Sequence, residues 1–183
     1  MNTFFDLLKT RRSIRKYLPQ AVEPEKIKQI TTAALMSPAS KRSNPWEFIV
    51  VQDKNTLLQL SECRSHGSKL LANAPLGIVV IADTNKSDVW IEDASIAALN
   101  IQLQAHDLGL GSCWVQVYNR EKEDDCSAEE YIRELLNIPG HYAVLNVVSI
   151  GYSDEDRKPY DEEKLAYDKI HEEKYTPASS KGN

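Results

Sequence analysis

Cysteine is scarce in this 183-residue chain, and Cys63, Cys113 and Cys126 are widely spaced and odd in number. There is no CxxC pair and no Cys/His ligand spacing. That excludes a disulfide framework and a zinc motif and points to a reducing compartment. Long apolar runs are also missing, since the longest, Ala74–Ala82, is too short to span a bilayer. The opening MNTFFDLLKTRR is too short and too charged for a signal peptide. The expected location is therefore the cytoplasm, with no membrane partner. Positive charge is not in excess: 22 Lys and Arg stand against 27 Asp and Glu, a net charge of -5. General nucleic-acid binding is excluded on that balance. No GxGxxG follows a strand, and no GxxxxGK[ST], GxSxG or HExxH occurs. The four histidines (His66, His106, His141, His171) are scattered, so no metal site is expected. His106 and His171 read as helix-surface residues. Repeats and low-complexity blocks are absent.

What is present centres on Asp93–Trp114, DASIAALNIQLQAHDLGLGSCW. Apolar residues at three- to four-residue spacing predict a helix over Asp93–Leu108, apolar around more than half of its girth and so buried on most sides. Asp93 is placed to cap it. Gly109 stops it, because glycine takes the left-handed conformation without strain. Gly111 keeps the turn narrow, and Ser112–Val117 alternates as a strand. The turn is either a scaffold for something bound there or the plain end of a core helix.

Thr3–Arg11 opens as a short helix with a capping-box pattern that uses Asp6 in place of Glu. Arg11-Arg12-Ser13-Ile14-Arg15-Lys16-Tyr17 follows. Four cations and a hydroxyl there suit a phosphate, or form a solvated basic turn. Pro24–Leu35 is a helix with proline at its first position. Ser37–Trp46, SPASKRSNPW, is a rigid polar loop leading to a strand at Phe48–Val51. Its short hydroxyl and amide groups suit the polar edge of a planar heterocycle, or an ordinary turn. Asn55–Cys63 and Ala128–Leu136 read as helices, Ser68–Leu71 as a helical turn, and Pro75–Ala82 and Ala143–Ile150 as buried strands. A charged tail follows, with 176–183 frayed. Helices and strands do not alternate strictly, so the expected class is α+β in a single domain over 1–183. No acid–base or nucleophile constellation stands out, and Cys113 reads as structural. Three cationic spots in an acidic chain (Arg11–Lys16, Lys41-Arg42 and Arg157-Lys158), with a polar loop and a glycine turn, fit an anionic cofactor that carries the chemistry.

RRSIRKY, PASKRSNPWEF, EDASIAALNIQLQAHDLGLGSCW and the strand ending at Gly151 together resemble the FMN-dependent nitroreductase family, short-chain branch, in the same order. The resemblance covers about residues 3–175. It implies an α+β fold with a mostly antiparallel sheet, flanking helices and a buried central helix. It also implies a two-fold homodimer with tightly but noncovalently bound FMN at the interface. The implied activity is ping-pong hydride transfer from NADH or NADPH through FMN to a nitroaromatic, quinone or similar small acceptor. Carried over by position, Arg11, Arg12, Ser13 and Arg15 hold the phosphate, ribityl chain and pyrimidine edge. Arg157 and Lys158 complete the phosphate site. Pro38, Ala39, Ser40, Ser43 and Asn44 reach the partner's flavin. Trp114, Gln116 and Val117 lie along the flavin, the last two near its reactive nitrogen. No side chain is implied as catalytic. The family usually shows Asn-x-Gln before Pro-Trp, where this chain has Arg42-Ser43-Asn44. Some branches carry Glu where Gln116 stands, and Gln leaves less negative charge there. Two alternatives stay open: a flavin-binding store or redox regulator without turnover, and a specialised dehydrogenase or dehalogenase of the same fold.

Overall fold

The computed structural model describes residues 3–123 and 125–177. Its frame is a four-stranded sheet in the order β1-β2-β6-β3, every pairing antiparallel. The strands are β1 (Trp46–Val51), β2 (Leu76–Asp83), β3 (Gly111–Gln116) and β6 (Tyr142–Gly151). The two central strands, β2 and β6, are near-continuous apolar runs because both of their faces are covered. Residue alternation divides the sheet into two cores. Ile78, Val80 and Val148 face α2 (Pro24–Leu35) and α4 (Trp90–Asp107), where they meet Ile30, Ala34, Ala98 and Ile101. Val79, Val115 and Val147 face α3 (Lys54–Leu60) and α5 (Ala128–Leu136), where they meet Leu57, Leu60 and Ile132.

The first helix, α1 (Phe4–Thr10), has the expected reciprocal cap between Thr3 and Asp6. The central helix departs from expectation in two ways. It begins at Trp90, so Asp93 lies inside its first turn and is not its cap. The Asp93 carboxylate instead accepts hydrogen bonds from the Ser40 amide and the Ser87 hydroxyl, each at 2.8 Å. The reason is tertiary, because the loop before β1 packs over this end of α4 and brings an unpaired amide to the carboxylate. Nor is α4 buried on most sides within one chain. Ala94, Ala97, Ala98, Ile101 and Ala105 are buried, whereas Ile96 and Leu99 stay 40% and 45% exposed.

Gly109 ends α4 with φ of +77°, in the conformation glycine adopts without strain. Gly111 matters for a different reason. It is the first residue of β3, and a Cβ there would sit 2.7 Å from Cβ of Ile14. Its bare backbone lets the segment after α1 lie directly on the strand. Between β3 and α5, β4 (Glu121–Glu123) and β5 (Cys126–Ser127) pair antiparallel. The Ser127/Glu130 capping box starts α5, and Asn137 ends it in the left-handed conformation at φ of 55°. The tail returns past α1, where Tyr160 N–H donates to Lys9 O at 2.9 Å. It then turns at Glu162–Lys164 and Tyr167–Lys169. Of the expected frayed end 176–183, residues 178–183 lie outside the described residues. Among the described residues, no helix is long and apolar enough to cross a membrane.

Candidate functional site

Three segments far apart in the chain form one cleft at the C-terminal end of α4. The first is the extended run after α1. Ser13 bridges Ser112 of β3 in parallel, and Ile14 N–H donates to Ser112 O at 2.9 Å. Tyr17, buried, anchors the run: its hydroxyl donates to Ile14 O at 2.6 Å and shares a 2.7 Å bond with Ser149 Oγ. Burial pushes that phenol well above its ordinary pKa, so it stays a neutral donor. The second segment is the Gly109-Leu110-Gly111 turn. The third is Ser153–Arg157, just after β6, held by Asp154 N–H donating to Lys16 O at 3.0 Å and by the Tyr17–Ser153 bridge.

The cleft has a volume of about 240 Å³ and is lined by Thr10, Arg12, His106, Gly109, Gly111, Ser153, Glu155, Asp156 and Arg157, with Ile14 and Leu110 at its floor. Arg12 donates to Lys158 O and lies over the Tyr160 ring, 4.6 Å from its centroid. One of its five donors is thereby engaged, and its orientation is set by a cation–π contact. Glu155 accepts from the Arg15 amide at 2.5 Å and from Arg157 Nη2 at 2.6 Å. The Arg15 amide, more than Arg157, holds the Glu155 carboxyl below its usual range.

The structure thus brings Arg12 and Arg157 into one cleft, with Arg11 and Ser13 partly buried beside it. The Arg15 side chain is exposed and reaches back to its own segment, to Ser13 O at 3.4 Å. Lys158 contributes a carbonyl to Arg12, and its side chain is exposed. Pro38, Ala39, Ser40, Ser43 and Asn44 lie apart from the cleft, on the loop that Asp93 anchors. That loop is backbone-strained: Lys41, Arg42 and Asn44 take φ of 53°, 57° and 42°. Asn100 Nδ2 ties its start by donating to Ser37 Oγ at 2.8 Å.

On β3, Gln116 is locked at both ends of its amide. Oε1 accepts from Trp114 Nε1 at 2.8 Å, and Nε2 donates to Tyr118 O at 2.9 Å. Val117 has its side chain fully buried in the α3/α5 core and its N–H donating to Leu145 O at 3.1 Å. It presents neither of those groups to a ligand, because the α3/α5 core takes the side chain and β6 takes the amide. A larger groove of about 470 Å³ runs between α2 and α4, lined by residues such as Lys28, Thr32, Met36 and Gln104. Its lining holds one cation, Lys28, beside Glu25, whereas the smaller cleft gathers Arg12 and Arg157, so the smaller cleft is the better anion site. Among the described residues, no cluster of His, Cys, Asp and Glu is arranged to hold a metal.

The sequence model of the Nitroreductase family matches residues 8–64 and 56–152. The chain belongs to the nitroreductase family. It is 39% identical over 180 residues to a putative NADH dehydrogenase/NAD(P)H nitroreductase of Archaeoglobus fulgidus, covering 96% of this chain and 100% of that protein. Among solved structures, an FMN-dependent nitroreductase from Clostridium difficile R20291 is 55% identical, with a TM-score of 0.93 over 94% of this chain and 100% of that one. A putative NADH dehydrogenase/NAD(P)H nitroreductase from Parabacteroides distasonis is 33% identical, with a TM-score of 0.87 over 96% of this chain and 100% of that one.

Three members of the site in this nitroreductase escape a reading of the sequence. Thr10, His106 and Glu155 carry no motif, and helical spacing put His106 on a solvent face. It is in fact half-buried, with Nε2 2.8 Å from Thr10 Oγ1. A usable signal existed, since His106 stands three residues before the glycine stop, at the end of α4 where a ligand held by that turn would lie.

Proposed function

We propose that this nitroreductase-family protein is an FMN-dependent oxidoreductase that draws hydride from NADH or NADPH and passes it to a small acceptor such as a nitroaromatic or quinone. The observation that carries the reading is the convergence of Arg12 and Arg157 on the Gly109–Gly111 turn. Two guanidinium forks and a close glycine backbone approach make a donor set suited to a phosphate monoester. The fit has a limit of size. About 240 Å³ holds a phosphate and part of a ribityl chain, whereas pockets that enclose drug-sized ligands run to roughly 300–1,000 Å³. The isoalloxazine must therefore extend beyond the cleft of one chain.

On this reading Arg12 and Arg157 hold the phosphate, with Arg11, Ser13, Arg15 and Lys158 around it. Arg157 turns from Glu155 toward the ligand as it does so. Bound flavin supplies reversible acceptance of hydride. The chain supplies position: Trp114 and Gln116, cross-linked by their own hydrogen bond, present a rigid wall on β3. No side chain of the cleft has to pass a proton for hydride to move. A second copy completes the site. Ile96 and Leu99 on α4, with Phe4, Phe5 and Leu8 on α1, leave an apolar surface that one chain does not cover. The loop Pro38–Asn44, remote from its own chain's cleft, is free to reach the partner's.

The test is to purify the protein and titrate it with NADH or NADPH under nitrogen. The expected result is a yellow dimer of about twice 20.7 kDa whose visible absorbance bleaches and returns on adding a nitroaromatic or quinone. A colourless protein that binds no added FMN would refute the reading. A flavin left oxidised by both nicotinamides would refute the turnover.

A further inference from the structure

We propose that His106 contacts the phosphate held in this cleft and takes up a proton as it does so. The proposal rests on the FMN reading above and extends it to a residue outside the arginine cluster. Thr10 Oγ1 donates to Asp6 O at 2.6 Å and lies 2.8 Å from His106 Nε2. A threonine hydroxyl has a single proton, and here Asp6 O accepts it. His106 Nε2 must therefore be the donor to Thr10, which leaves Nδ1 of the neutral ring as a bare lone pair. Protonation adds a donor at Nδ1 and keeps the Thr10 bond, so the ring gains a charge without turning.

The surroundings set when that happens. Partial burial opposes a positive ring, as does Arg11 at the end of α1 to a lesser degree, and together they hold the imidazole below its ordinary pKa. Asp107, next to it on α4, favours the charge. Arg12, Arg157, Glu155 and Asp156 all line the cleft, with Arg157 paired to Glu155, so the charged groups of the lining are two cations and two carboxylates. The cleft also lies at the C-terminal end of α4, where the helix dipole disfavours an anion and favours a cation. A phosphate with one to two negative charges shifts this balance toward the imidazolium. The protonated ring then offsets the repulsion between helix end and phosphate.

The experiment compares the full-length protein loaded with FMN and loaded with riboflavin, which lacks the phosphate. The His106 titration is followed by NMR in both. The expected result is a midpoint about one pH unit higher with FMN. Flavin release on dilution is then measured at pH 6 and pH 8 in wild type and His106→Gln, whose amide keeps a donor for Thr10. The variant should release FMN about tenfold more readily than wild type at pH 6, with little difference at pH 8 and none for riboflavin. Because both proteins share the ligand, the phosphate's own titration cancels. Equal His106 midpoints in the two complexes, with FMN still held more tightly than riboflavin, would overturn the proposal and leave the cleft as a phosphate site. FMN and riboflavin held equally would overturn both. The wild-type titration decides the point even if the variant misfolds.

Discussion

Asp93→Ala should be among the most damaging single changes outside the core. The carboxylate is 3% exposed and has one oxygen on the Ser40 amide and the other on the Ser87 hydroxyl, both at 2.8 Å. Hydrogen bonds to an ionised group contribute about 1.5–3 kcal/mol each. Water can replace the acceptor at partly exposed Ser40, but Ser87 is buried and its hydroxyl would be left without one. The sum of the two bonds comes to about 3–6 kcal/mol, a large share of the roughly 5–15 kcal/mol that stabilises an ordinary domain. Part of the loss should be local, because Lys41, Arg42 and Asn44 each hold a left-handed backbone that costs roughly 1–2 kcal/mol. Freed from its anchor, that loop relaxes. Asp93→Asn keeps one acceptor for Ser40 and should lose only about half as much. The assay is urea unfolding at fixed protein and flavin concentration, with amide exchange read at Ser40–Asn44. A loss under about 1 kcal/mol for Asp93→Ala, with Ser40 exchange unchanged, would refute the claim that this carboxylate anchors the loop.

Gly111→Ala places a Cβ 2.7 Å from Ile14 Cβ, so it should cost about 1–3 kcal/mol and weaken flavin retention as the basic segment is pushed off β3; normal retention would mean that the segment adapts freely. Gln116→Glu sets a carboxylate against Tyr118 O in place of the present donor at 2.9 Å. It should destabilise the fold by about 1–3 kcal/mol and lower the flavin potential in an anaerobic titration against a reference dye. An unchanged or higher potential would separate Gln116 from the flavin. Glu155 has its pKa held below the usual 4.5, so it favours the folded state above that value and loses this contribution as pH falls through the folded-state value. Acid unfolding of Glu155→Gln should accordingly show a weaker pH dependence below pH 4.5, and a matching profile would remove Glu155 as an anchor. Leu99→Asp should turn the proposed dimer into monomer in sedimentation and release flavin with it; a flavin-loaded monomer would count against a shared site.

The sequence by itself determined whatever depends on neighbours along the chain. The apolar spacing of α4, the glycine that stops it, the Thr3/Asp6 cap and the buried strands PLGIVVIA and AVLNVVSI are local, since backbone preference and side-chain period act over a few residues. The basic run and Arg157 were legible for a related reason, because several cations in an acidic chain need a partner. Tertiary structure decided the rest. Asp93 sits where a cap belongs, yet its partners are Ser87, nearby in the chain, and Ser40, which reaches it only after the loop folds over α4. The Glu121–Ser127 hairpin has no apolar period to announce it, since its pairing is stabilised by backbone bonds and by its contact with α5. His106 was placed on a solvent face by helical geometry, which counts only its own helix. Thr10 at the end of α1, Arg12 just after it and Ser153–Arg157 from beyond β6 enclose it. A ligand cleft gathers groups from separate segments, and short-range spacing carries no information about which segments will meet.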